Sequence, residues 1–245
     1  MLPDDVVKEI TETACELYES IKPLHLYTDD KFFLQYNSIN AVKILLKHNE
    51  IHLHKKNFRL DSFSGLLFID ELGSTIVVNE NHISSRQLFT VAHELGHFYL
   101  HRNLQSEFLD NGTNENIYSK SGLIIEQQAN LFASEILVPN EVLEKMLKYK
   151  VNFFKIAKTI GISLEALKWR IFRYIETKYE LVYNFTLMLI EDFKEKSRKQ
   201  LHDQAYIFDM CEDKYVQFEI FEALCGRESY ISNYRKYPKK EMILF

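Results

Sequence analysis

Residues 89–101 read FTVAHELGHFYLH. Inside this stretch His93-Glu94-Leu95-Gly96-His97 forms an H-E-x-x-H pattern. Histidines four residues apart lie one turn apart on the same face of a helix, so two imidazole nitrogens can meet one tetrahedral zinc. Glu94 projects beside that face, where it is placed to take a proton from a metal-activated water. Helix context supports the pattern. Phe89, Val91, Ala92, Leu95, Phe98 and Tyr99 supply an apolar stripe, and Ser84 with Gln87 reads as a capping box at the start. A helix without metal would bury these ionisable groups at a cost, and a bound cation removes that objection.

A catalytic zinc usually takes three protein ligands and leaves one position open. The metzincin arrangement, with a histidine six residues after the second one, is absent because Asn103 stands there. His101 continues the stripe, yet at ~1.5 Å rise per residue it lies about 12 Å from His93 along one straight helix. It therefore reads as a supporting group, a substrate-side group or a plain helix-end histidine. The third ligand is expected from another helix. Downstream candidates are Glu107, Asp110, Glu115, Glu126 and Glu135, with Glu126 standing out. It begins the amphipathic stretch EQQANLFASE, whose Ala129 and Ala133 permit close helix contact. Asn130, one turn on, is placed to orient a ligand's outer nitrogen or a loop carbonyl. The competing reading of Glu126 is a solvated carboxylate favoured near a helix start.

Around this centre the chain reads as α+β. Residues 2–20 carry helical periodicity behind Pro3, Asp4 and Asp5, and a second helix spans Ser38 to about Lys47 with Ile39, Val42, Leu45 and Leu46 inward. The run HNEIHLHKKNF is polar and shows no clear period. Apolar runs at 66–69 and 75–78 flank DELG, the signature of an antiparallel hairpin with Gly73 at a positive-φ position. An edge on the second run is a candidate pairing site for an extended substrate. RNLQSEFLDNGTNENIYSKSG reads as a loop. Helices follow at LIIEQQANLFASEIL and, after Pro139, at NEVLEKMLKY. Residues 152–177 read as helix, turn at Gly161, and helix capped by Ser163, in the manner of a helix-turn-helix. Beyond residue 181 the pattern is mixed, with the strand-like run YNFTLMLI. The domain expectation is 1–150, 151–180 and 181–245.

The formal net charge of −5 argues against binding nucleic acid through a generally basic surface. Cys15, Cys211 and Cys225 form no CxxC pair and fit a reducing compartment. The start, MLPDDVVKEI, has no apolar signal region, and no run is long enough to span a membrane, so a cytoplasmic location is expected.

RQLFTVAHELGHFYLH followed by EQQANLFASEILVP resembles the ImmA/IrrE-type metallopeptidases across 86–139, and IAKTIGISLEALKWRI resembles the helical block that follows in that family. The resemblance implies a mostly helical, zincin-like (gluzincin-like) peptidase core with a small antiparallel sheet. It implies Zn2+ held by His93, His97 and Glu126, with Glu94 as general base. It also implies an intracellular endopeptidase whose protein substrate is a partner helix-turn-helix repressor controlling a mobile element or a stress response. Val138 replaces the family's usual Met before Pro139. His101 and Tyr118 are candidates for a donor to the oxyanion. Two alternatives compete: a DNA-binding regulator using Lys155, Lys158, Lys168, Arg170 and Arg173, and a protein-binding regulator with a structural or inactive zinc site. An exposed basic face would favour the first, and a closed fourth ligand position the second.

Overall fold

A computed structural model describes residues 2–24, 32–59, 62–104, 107–110, 120–227, 229 and 231. Helix α1, Asp4–Ile21, begins behind Pro3 with Asp4 and Asp5 in its first turn, and it buries Ile10, Ala14, Tyr18 and Ile21. Helix α2, Ser38–His48, is capped by the Asn37 side chain, which accepts from the Ile39 amide. It turns Ala41, Val42, Leu45 and Leu46 inward, whereas Ile39 is exposed, contrary to the expected stripe.

The polar run after α2 is a strand, β1 (Ile51–Lys56). Ile51-His52-Leu53-His54 alternates for only four residues before two lysines, and only Ile51 is buried, so the signal is too short to mark a strand. The expected hairpin follows as β2 (Gly65–Asp70) and β3 (Gly73–Asn79). Asp70 Oδ1 accepts from the amides of Leu72 and Gly73, and Gly73 takes φ +139°, which a side chain would resist.

Helix α3 is Ser84–His101, and the segment read as loop contains a fourth strand, β4 (Glu107–Asp110). The sheet order is β1-β3-β2-β4. The hairpin and the β2–β4 pair are antiparallel, but β1 runs parallel to β3, so the small sheet is mixed. This corrects the expectation for β3. Its outer edge is filled by β1 from Ser74 to Asn79 and cannot pair with a substrate. The start of α3 also differs. Ile83 occupies the cap with no side-chain bond, and Gln87 Nε2 instead donates to the carbonyls of Glu80 and His82.

Helix α4, Lys120–Leu137, leads through Pro139 into α5, Asn140–Lys148. Next come α6, Phe153–Ile160, and α7, Leu164–Tyr179. Gly161 turns the chain at φ +90°, and Ser163 Oγ accepts from the Ala166 amide, as expected. The strand-like run is a helix, α8 (Tyr183–Arg198). Its buried Phe185, Thr186, Leu189, Ile190 and Phe193 follow the helical period, and an apolar run this short cannot separate helix from strand by itself. Helix α9, Lys214–Leu224, is capped by Asp213.

Two compact units result: Met1–Lys145 with Ala157–Leu167, and Met146–Ile156 with Lys168–Phe245. The first holds the sheet, α1 to α4 and the H-E-x-x-H helix. Its core packs α3 and α1 against α4, with β2 and β3 lying on α3. The second is helical among its described residues and centres on α8, where Phe193 meets Phe153 and Phe208 edge to face.

Candidate metal centre

One helix turn in α3 supplies His93 and His97, and both are buried. Their Nε2 atoms face one another at 3.0 Å. Across from them, α4 brings Glu126: Oε2 lies 3.1 Å from His93 Nε2, and Oε1 lies 3.4 Å from His97 Nε2. Among the described residues this is the group of His, Cys, Asp or Glu able to hold a metal, with ligand atoms within 4.8 Å of one another.

The approach of the two helices depends on small residues. A Cβ placed on Gly96 would lie 3.0 Å from Ala129 Cα, 3.1 Å from Ala129 O and 3.3 Å from Phe132 Cβ. These distances are tighter than ordinary carbon contacts, so only glycine allows the α4 backbone to come this close. Ala129 and Ala133 are completely buried at the same crossing. Glu126 does not begin its helix. It lies six residues into α4, beyond its first turn, so the competing reading of a carboxylate drawn to a helix start falls away.

Electrostatics agree with a cation site. Burial holds the His97 ring down to about 4, outweighing the pull of the Glu126 carboxylate, so the ring is neutral at pH 7. Burial pushes the Glu126 carboxyl up, but the adjoining His93 and His97 rings outweigh it and hold it down to about 2, so it is charged at pH 7. His93 Nδ1 meets Asn130 Oδ1 at 3.0 Å; since that oxygen only accepts, Nδ1 carries the hydrogen and Nε2 offers a lone pair to the cluster. A neutral imidazole pair and a charged carboxylate form a donor set that suits zinc.

Glu94 is fully buried beside these ligands. Gly65, at the start of β2, makes room for it: a Cβ there would lie 3.2 Å from Glu94 Oε1 and would collide with Thr90 Cγ2. His101 is buried as well. It does not enter the ligand cluster; its Nδ1 lies 3.0 Å from His97 Nδ1, and its Nε2 lies 2.9 Å from Gln128 Oε1. With both ring nitrogens engaged, His101 has none left to donate to an oxyanion. Phe108 of β4 stacks on the His97 ring at a centroid distance of 4.4 Å.

Of the other sequence candidates, Glu135 is buried elsewhere on α4, nine residues from Glu126 and outside the cluster. Glu107 and Asp110 fall in β4, with side chains that are not described, while Glu115 and Tyr118 lie outside the described residues. Gln128, Phe108 and Gly65 carried no readable signal. At 100° per residue, Gln128 is 200° around the helix from Glu126 and falls off the predicted stripe. The basic residues of α7 do not form an exposed face. Arg170 is buried, and Lys168 Nζ is ion-paired with Glu191 at 3.1 Å.

The family model of the IrrE N-terminal-like domain matches residues 43–172, just over half of the chain. The chain belongs to the IrrE N-terminal-like family. That region contains α3, α4 and every residue of the cluster. The chain is also similar to metallopeptidase ImmA of Bacillus subtilis (strain 168), 33% identical over 96 residues. That match covers 39% of this chain and 54%, about half, of the relative. A second relative is uncharacterized immunity region protein 2 of Bacillus phage phi105, 24% identical over 163 residues, 66% of this chain and 87% of that protein. Among the described residues, no helix is long and apolar enough to cross a membrane.

Proposed function

We propose that this IrrE N-terminal-like domain protein is a zinc-dependent endopeptidase that cleaves a partner transcriptional repressor inside the cell, as part of a mobile-element or stress-response switch. The observation that carries the reading is the convergence of His93, His97 and Glu126 with a buried Glu94 next to them. A structural zinc site has no use for such a carboxylate. Similarity to a metallopeptidase and to a phage immunity-region protein supports the peptidase and mobile-element parts of the reading.

His93 and His97 would hold the metal through Nε2 and Glu126 through its carboxylate. Zinc, when bound, supplies Lewis acidity toward a water and the scissile carbonyl. Glu94 takes the proton that the attacking water gives up and returns it to the amine of the leaving strand. Its burial beside the ligands keeps that proton from bulk solvent. Asn130 fixes the His93 ring by accepting from Nδ1.

The test mixes the purified chain, zinc and the repressor encoded beside its gene. Cleavage is expected, and Glu94→Gln is expected to lower its rate by roughly 10²–10⁴-fold while zinc remains bound. Cleavage that continues unchanged in Glu94→Gln, or a wild-type chain that takes up no zinc, overturns the proposal.

A further inference from the structure

We infer that His101 and Gln128 form a hydrogen-bonded relay that sets the tautomer of His97 and so presents its Nε2 lone pair to the metal. The inference rests on the zinc reading above and concerns residues outside its ligand set. Three contacts run in series. Gln128 Oε1 lies 2.9 Å from His101 Nε2, His101 Nδ1 lies 3.0 Å from His97 Nδ1, and His97 Nε2 lies in the ligand cluster.

A neutral imidazole has one N–H and one lone pair, so each contact fixes the next. The Gln128 carbonyl only accepts, so His101 Nε2 carries the hydrogen and His101 Nδ1 carries a lone pair. That lone pair must receive the hydrogen of His97 Nδ1. His97 Nε2 is then bare and faces the cluster. The other self-consistent arrangement turns the Gln128 amide over and reverses every donor, which puts a hydrogen on His97 Nε2. That hydrogen would point at His93 Nε2, 3.0 Å away, and occupy the side needed for a cation. The relay therefore has one arrangement compatible with a metal.

Burial keeps the relay together. His101 is 3% exposed and His97 1%. Phe108 closes one side, stacked on His97 and tilted against His101 at 6.2 Å. Water has little access to compete for either Nδ1. His101 and Gln128 are positioning residues that act on the metal through His97. On the other ligand, Asn130 plays the corresponding part in a single step.

Two readouts test the relay, and neither is cleavage. The first is zinc affinity, measured by competition with a chromophoric chelator. Gln128→Leu and His101→Phe are expected to weaken zinc binding by about 10–100-fold, the usual loss when an outer partner of a metal-ligating histidine is removed. Gln128→Glu keeps an acceptor at His101 Nε2 and is expected to restore affinity to about the wild-type value. The second readout is the long-range 1H–15N spectrum of the metal-free chain, in which His97 is expected to carry its hydrogen on Nδ1. Gln128→Leu is expected to mix the two tautomers, and Gln128→Glu to keep one. A wild-type His97 protonated on Nε2 overturns the relay, as does Gln128→Leu with unchanged affinity and tautomer. A lowered melting temperature in Gln128→Leu without a tautomer change also overturns it, because it shows packing alone. If the wild-type chain takes no zinc, the peptidase reading fails, and the tautomer still decides the relay in the metal-free protein.

Discussion

Replacing Gly96 by alanine isolates the helix crossing that assembles the metal centre. The added methyl would sit 3.0 Å from Ala129 Cα and 3.1 Å from Ala129 O, both backbone atoms that cannot rotate away. Ordinary carbon contacts begin near ~3.5 Å, so α4 must retreat from α3 by roughly 0.5 Å at this level. Ala129 is three residues from Glu126 and one from Asn130, so both move with it. Zinc–ligand distances tolerate only about 0.2 Å of error, less than half of that shift. The stability balance is different. Alanine in place of a helix-interior glycine contributes about 1 kcal/mol, and overpacking costs about 1–3 kcal/mol. Gly96→Ala is therefore expected to lose at most about 2 kcal/mol of stability in the metal-free protein while zinc affinity falls by roughly 10-fold or more. Urea unfolding of the metal-free chain gives the first quantity, and chelator competition the second. Zinc affinity within twofold of wild type would refute the view that close helix approach sets the ligand geometry.

Other outcomes can be checked alongside. Gly65→Ala places a methyl against Thr90 and the Glu94 carboxylate; cleavage is expected to fall by about 10²-fold with zinc still bound, and equal cleavage would show that Glu94 has room to spare. The pH dependence of the metal-free chain has a definite sign. Burial lowers the folded pKa of His97 to about 4 from an ordinary 6.5. The unfolded chain therefore binds more protons in that window. Stability is fully present above pH 6.5 and is lost as pH falls toward 4, at up to about 1.4 kcal/mol per pH unit for that ring. Urea midpoints that stay level or rise between pH 7 and pH 5 would contradict the buried neutral ring. In the second unit, Asp213 Oδ1 accepts from the amides of Tyr215 and Val216. Asp213→Ala is expected to cost about 1 kcal/mol, read as a lower melting temperature, without changing zinc affinity.

Sequence alone determined whatever depends on local spacing. The four-residue interval puts His93 and His97 on one helix face, because the helical period is fixed by backbone hydrogen bonds. The same local logic located α1, α2, the β2–β3 hairpin with Gly73, and the turn at Gly161. It also made Ala129, Ala133 and Asn130 meaningful around Glu126, since residues three, four and seven apart share a face. Tertiary structure decided whatever depends on partners far away in the chain. β1 and β4 exist because β3 and β2 offer backbone groups to pair with, and neither strand carries an alternation long enough to announce it. α8 looked like a strand because a short apolar run carries no period until it meets a core. His101 was limited by helix rise to a place outside the ligand set, but its bonds to His97 and Gln128 follow from side-chain torsions and burial, which no spacing rule contains. The motif thus fixes which atoms can reach a metal, and the packing of α4 against Gly96 decides that Glu126 completes the set.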